Sequence, residues 1–307
     1  MAIDKNEALR LLNIDNKSKE FYELIKLANN YARKMYNNKG FVFGQVGLNA
    51  EPCSIDCKFC AFGKSHYSVG ITYRKNKEEI ASGIKDFLAK GCNDIFLMTT
   101  ADYPIDQFIE YGEFARKIVP DNIRLVANIG DFNLTIAKKL KDVGFTGCYH
   151  ICRLNEGLDT KAKVETRKKT LDAIRDAGLE LYYCVEPIGP EHAYEQMVEE
   201  MFRAKDYSVN VMAAMRRVPV LGTPLYEKGT ISSLELAKIV AVALLVVKPT
   251  RAMGVHEPNQ LCLLAGANQI YAEVGANPRD IEGDTEKNRG FDTNCAWEML
   301  TDAEWVK

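Results

Sequence analysis

From Phe41 to Val274 the chain switches repeatedly between two hydrophobic periods, and that alternation limits its fold more than any other feature. Short β-rich runs begin with "GFVFGQVGLN", "NDIFLMTTA", "IRLVANIG" and "FTGCYHICRL". They continue with "LELYYCVEPIG", "SVNVMAAMRRVP", "TRAMGVHE" and "NQIYAEV". Between them lie stretches with apolar residues at helical spacing, such as "KEEIASGIKDFLAKG" and "NLTIAKKLKDVG". Three of these helices stop on Gly91, Gly144 and Gly178, the residue that best accepts a left-handed C-terminal turn. Strands joined by helical crossovers run parallel. Eight such units predict an α/β chain folded as a (β/α)8 TIM-type barrel, closed or partly open, with an open doubly wound sheet as the alternative. Two amphipathic helices, Asn6–Leu12 and Lys17–Tyr36, form an N-terminal extension over 1–40. The barrel is expected over 41–276, and the polar tail 277–307 as an extension covering the barrel mouth.

Bulk properties exclude several function classes. The net charge is −2, and the basic run "RKKTLDAIR" falls on one helix face, so there is no electrostatic case for nucleic acid. The longest apolar run, "AKIVAVALLVV", is far shorter than the ~20 residues that span a bilayer and reads as a buried helix. No signal-peptide pattern opens the chain, so a cytoplasmic location with reduced thiols is expected. Nine cysteines then point to metal binding or catalysis, not to disulfides.

Three of those cysteines are crowded into "EPCSIDCKFCAF", where Cys53, Cys57 and Cys60 are spaced C-x3-C-x2-C. Three thiolates can hold three irons of a [4Fe–4S] cluster and leave the fourth iron open. A Cys3His zinc site using His66 is the competing reading. In a barrel of this type the working residues gather at the C-terminal ends of the strands. There the sequence places Thr99 and Thr100, Asn128, His150 and Cys152, Cys184 and Glu186, Arg216 and Arg217, and His256 and Glu257. His150, Glu186, His256 and Glu257 are candidates to bind substrate or move protons, as is His192. Arg216 suits an anionic group, although one of two adjacent strand residues must point away from the lumen. Cys148, His150 and Cys152 share one strand face, Cys184 lies on the next strand, and Cys295 lies in the tail. Together Cys148, Cys152, Cys184 and Cys295 are candidate ligands of an auxiliary cluster. The competing reading makes each a small buried hydrophobe, as expected for Cys92 and Cys262.

The segment C-x3-C-x-F-C after a first barrel strand resembles the radical S-adenosylmethionine (SAM) superfamily. The resemblance implies that Cys53, Cys57 and Cys60 hold a [4Fe–4S] cluster whose open iron chelates SAM, and that reductive cleavage yields a 5′-deoxyadenosyl radical. It also implies that Phe59 packs near the adenine, and that "MTTAD", with Thr99 and Thr100, contacts the amino group. Asn128 joins the cofactor-binding set, and Arg167 faces the carboxylate. "RKKTLDAIRDAGLEL", "RRVPVLGTPL" and "LCLLAGANQIYAE" resemble the biotin-synthase-like branch. The chain departs from biotin synthase itself, because apolar residues occupy the strand-two and strand-three positions of that enzyme's second-cluster cysteines. "YHICRLNEGLDT", "CVEPIGPEH" and "VHEPNQLCLLAGANQIYAEVGANPRD" look most like subunits of the two-protein lipoyl synthase. That likeness implies sulfur insertion into an octanoyl chain on a lipoyl domain, a sulfur-supplying auxiliary cluster and a second radical SAM subunit. A low-potential donor such as ferredoxin would supply the electrons. The same branch offers a small-molecule substrate instead, as in methylornithine synthase or the hydrogenase-cofactor maturases. A non-enzymatic iron–sulfur or zinc protein is the alternative of another class.

Overall fold

The computed structural model describes residues 3–67, 69–70, 72–274 and 292–307. All eight expected strands are present: β1 (Phe41–Gly47), β4 (Asp94–Met98), β5 (Arg124–Asn128), β6 (Gly147–Tyr149), β7 (Glu180–Ile188), β8 (Val211–Arg216), β9 (Ala252–His256) and β10 (Gln269–Val274). They close into a parallel barrel in the order β1-β10-β9-β8-β7-β6-β5-β4. The chain therefore folds as a (β/α)8 TIM-type barrel, with no open seam. One feature was not anticipated. β2 (Asn49–Ala50) and β3 (Tyr73–Arg74) pair antiparallel and bracket the cysteine segment as a closed excursion from the first strand.

Two helices precede the barrel: α1 (Lys5–Leu12), capped by Asp4, and α2 (Lys19–Met35), capped by Ser18. They pack over α7 (Tyr194–Asp206) and α8 (Ser233–Val247). This cover explains why α8, which holds the longest apolar run, is buried almost all round. Among the described residues no helix is long and apolar enough to cross a membrane. The remaining helices are α3 (Lys77–Ala89), α4 (Ile105–Arg116), α5 (Leu134–Asp142), α6 (Val164–Ala177), α9 (Gln260–Leu264) and α10 (Thr293–Asp302).

The lower lumen is filled. Phe43, Phe96, Tyr182 and Tyr271 form an aromatic layer, with Phe96 centred 5.3 Å from both tyrosine rings in edge-to-face contact. Beneath it the buried Asp94 accepts hydrogen bonds from Tyr182 Oη at 2.8 Å and from Arg251 Nε at 3.2 Å. Space for a ligand is left at the mouth, where the strands end.

Of the expected C-terminal extension, the described residues 292–307 pack at the other end of the barrel. Leu300 and Trp305 pack against Gly40, just ahead of β1, and Thr293 Oγ1 contacts Cys92 Sγ at 3.5 Å, just ahead of β4. Those are the N-terminal ends of barrel strands, so α10 closes the side and floor and does not cover the mouth. Trp297 and Leu300 of α10, and Trp305 just beyond it, are buried there. Residues 277–291 of the expected mouth cover lie outside the described residues.

Candidate active site at the barrel mouth

The cysteine loop folds on itself and is then held from outside. Cys53 N–H donates to Phe62 O at 2.8 Å, and Cys60 N–H to Cys57 O at 3.0 Å. Neighbouring barrel loops grip it through Lys58 N–H to Asp159 O, Lys161 N–H to Ile55 O and Leu225 N–H to Lys58 O, all within 3.0 Å. Asp56 takes the Ser65 N–H at 2.8 Å and pairs with Lys161 at 2.7 Å. The Lys161 contact and the Ser65 N–H hold its carboxyl down at about 2.

His66 is part of this scaffold. Its Nε2 lies 3.1 Å from Cys57 O and 3.0 Å from Cys60 O. Carbonyls only accept, so Nε2 carries a proton and donates to the loop. Its other nitrogen, Nδ1, lies 3.1 Å from Ser65 Oγ, so both ring nitrogens are engaged within the loop. Among the described residues, moreover, no three His, Cys, Asp or Glu side chains converge tightly enough to chelate one ion.

The three thiols line one cavity of about 250 Å³ at the mouth, together with Phe59, Thr99, Thr100, Asn128, Arg167, Glu186 and His256. These ten residues, all singled out from the sequence, therefore meet in one place. Burial raises the Cys53 pKa and pushes Cys57 up to about 12, so both are protonated thiols until a cation displaces the protons. Thr100 is latched by Asn49, which donates to its Oγ1 at 2.8 Å and accepts its N–H at 2.9 Å. Thr99 Oγ1 is buried with no partner and borders the cavity. Arg167 is held by Asp131 at 3.2 Å and by Glu156 at 3.1 Å. Glu186 accepts the Tyr149 hydroxyl at 2.8 Å and faces Arg153 Nε at 3.5 Å. The His256 ring lies 4.4 Å from that of Tyr271. Three thiols on one side, an orphan hydroxyl and a braced guanidinium on the other fit a metal cluster with a polar cosubstrate.

Other expected residues fall outside this cavity. His150 lies behind Arg167, with Nε2 3.1 Å from Asp131 Oδ1. Arg216 turns toward the start of α8, donating to Ile231 O and Ser233 Oγ at 3.3 Å. Its neighbour Arg217 lines the mouth instead and is paired with Glu191 at 3.0 Å. Glu257 does not line the cavity.

The candidate auxiliary-cluster cysteines are not brought together. Tyr149 faces the lumen, so Cys148 and His150 face away from it. Cys148 is fully buried. Cys152 N–H donates to the hydroxyl of Tyr183, which bonds to Glu200 of α7, so this corner lies on the helix side. Cys184, two residues from Glu186, is the spare thiol that faces the lumen among the described residues. Cys295 lies on α10, away from the mouth.

Sequence reading missed Tyr149, Arg153, Gln45 and Glu273, all of which line the cavity. Gln45 could have been found from its parity with Phe43 on β1. Arg153 lies beyond the end of β6, where alternation no longer applies.

No family model matches the chain. The chain is 26% identical to the biotin synthase of Clostridioides difficile over 290 residues, covering 90% of this chain and 85% of the relative. It is 25% identical to the biotin synthase of Pelotomaculum thermopropionicum, covering 93% of each chain. An uncharacterised protein of Methanocaldococcus jannaschii is 27% identical, with 92% of this chain and 78% of that one covered. In fold, the crystal structure of methylornithine synthase superposes with a TM-score of 0.84 at 17% identity, covering 99% of this chain and 94% of that one. The [FeFe]-hydrogenase maturase HydG of Carboxydothermus hydrogenoformans superposes with a TM-score of 0.82 at 16% identity, covering 99% and 76%.

Proposed function

We propose that the chain is a radical SAM enzyme of the biotin-synthase-like branch, and that its mouth cavity performs hydrogen abstraction on a small polar substrate. The observation that carries this reading is the meeting of Cys53, Cys57 and Cys60 with Thr99, Arg167, Glu186 and His256 around one cavity. A [4Fe–4S] cluster held there would supply the electron that cleaves SAM reductively and so starts hydrogen abstraction. The chain's own residues do the rest. Cys53, Cys57 and Cys60 would hold the cluster, and the cross-braced loop fixes their spacing before it binds. Arg167, immobilised by two carboxylates, offers its guanidinium to a carboxylate of the cosubstrate. Thr99 Oγ1 offers an unused hydroxyl. Glu186 and Tyr149 present a hydrogen-bonded acceptor and hydroxyl to the substrate, with Arg153 balancing the carboxylate charge. The packed aromatic layer below keeps water from entering through the floor.

Sulfur insertion into a protein-bound octanoyl chain, as in lipoyl synthase, is the second reading. Cys184 favours it, as a spare thiol on the lumen side. The outward placement of Cys148 and Cys152 weighs for the single-cluster reading, in which a small molecule is rearranged or cleaved.

Anaerobic reconstitution with iron and sulfide counts, followed by assay of 5′-deoxyadenosine with dithionite and SAM, tests both. About four irons per chain with 5′-deoxyadenosine formation supports one cluster, and about eight supports sulfur insertion. Cys57→Ala should lose both iron and product. Zinc without sulfide, or no 5′-deoxyadenosine from the loaded protein, defeats the enzyme reading.

A further inference from the structure

A second cavity, of about 380 Å³, lies outside the barrel between the starts of α7 and α8 and the turn after α1. His192 borders it and is only 7% exposed. Its Nδ1 accepts the Gly189 N–H at 2.9 Å, so the neutral ring must carry its proton on Nε2. That Nε2–H is buried and has no partner. A buried donor without an acceptor is costly, and the cavity is many times the roughly 15 Å³ that admits one water.

The same wall supplies more donors. α7 is thirteen residues long and no side chain caps its first turn. The Gln196 side chain accepts the Ala193 N–H at 3.0 Å, which leaves the N–H groups of Tyr194 and Glu195 uncapped, and both residues border the cavity. The positive end of the helix therefore faces the cavity that His192 borders. Two carboxylates border the cavity, Glu195 and Glu235, and the second is fully engaged. It accepts from Tyr194 Oη at 2.8 Å and from Asn16 at 2.8 Å, and pairs with the buried Lys238 at 3.1 Å.

We propose that this cavity binds a small oxyanion, a carboxylate or phosphate group, on His192 Nε2 and the N-terminus of α7. The site is separate from the mouth cavity but close to it. Gly189 borders it, and the Arg217 guanidinium that lines the mouth packs directly against that glycine.

The test uses the full chain and two probes, sodium phosphate and sodium acetate, at ionic strength held constant with chloride. Nitrogen–proton spectra of the histidine side chains should show a saturable shift of the His192 Nε2–H, and the melting temperature should rise with the same probe. Phosphate alone producing the shift assigns a phosphate group; acetate alone assigns a carboxylate. Both effects should vanish in His192→Phe. Ile231→Trp, which fills the cavity from another wall and leaves the imidazole in place, should remove the shift as well. No saturable shift with either probe, which leaves water as the only occupant, overturns the proposal. So does an unchanged titration in Ile231→Trp.

Discussion

Arg153 stands between a thiol and a carboxylate, and it shows how single charges shape the mouth. Burial opposes its charge, yet Cys57, Glu186, Glu156 and Tyr149 around it raise its pKa on balance. A cation held beside Cys57 favours the thiolate that a cluster needs. His150 shows the opposite balance. Burial lowers its pKa below the ordinary 6.5, although Asp131 and its carboxylate pull the other way. The folded value thus lies below that of the unfolded chain. Its contribution to stability is complete above about pH 6.5 and is lost as pH falls through the folded value. A proton-NMR titration of the imidazole rings should give His150 a midpoint under 6.5, and His150→Asn should flatten the acid limb of the stability curve. A midpoint at or above the ordinary value would show that Asp131, not burial, governs the ring.

Between elements, close approach matters more than charge. Gly44 of β1 faces α3, and a Cβ placed there would come 2.5 Å from the Phe87 ring, itself fully buried. Gly44→Ala should cost about 1–3 kcal/mol in denaturant unfolding, the usual range for overpacking a core. Phe87→Leu in the same chain should recover part of that loss, so the two changes are non-additive. Additive losses would mean that the helix shifts without strain. The elements themselves were legible because period-two and period-3.6 patterns alternate cleanly and Gly stops separate them. The cysteine loop was legible because spacing within a short segment survives any fold. Facing was not. Alternation says that Cys148 and His150 share a face, but both faces of a barrel strand are buried, one toward the lumen and one under helices. Nothing in the apolar run chooses between them, and β6 ends at Tyr149, so Cys152 has no strand phase to inherit. The place of α10 was equally hidden, because its apolar face suits any uncovered groove, and the groove beside β1 and β10 exists only once the barrel has closed.

At the scale of the whole molecule, the barrel is open at one end because the other is plugged by an ion pair under an aromatic layer. Burial pushes the Asp94 carboxyl up to about 6, and Arg251 and Tyr182 pull it back. Since the folded value exceeds the ordinary 3.8, this group's contribution is complete below that pH and is lost as pH rises through about 6. Arg251 limits the loss by supplying the opposite charge. Arg251→Met should therefore destabilise the chain by about 3–5 kcal/mol at about pH 7, because it strands a buried carboxylate. The deficit should narrow at about pH 5, where the carboxyl takes a proton. Adding Asp94→Asn should restore most of the neutral-pH loss, since the amide still accepts from Tyr182 Oη. Guanidinium unfolding of the single and double variants at both pH values reads these differences directly. An equal deficit at the two pH values, or no recovery in the double variant, would mean that Arg251 acts by filling space under Phe41 and Phe43 and not by its charge.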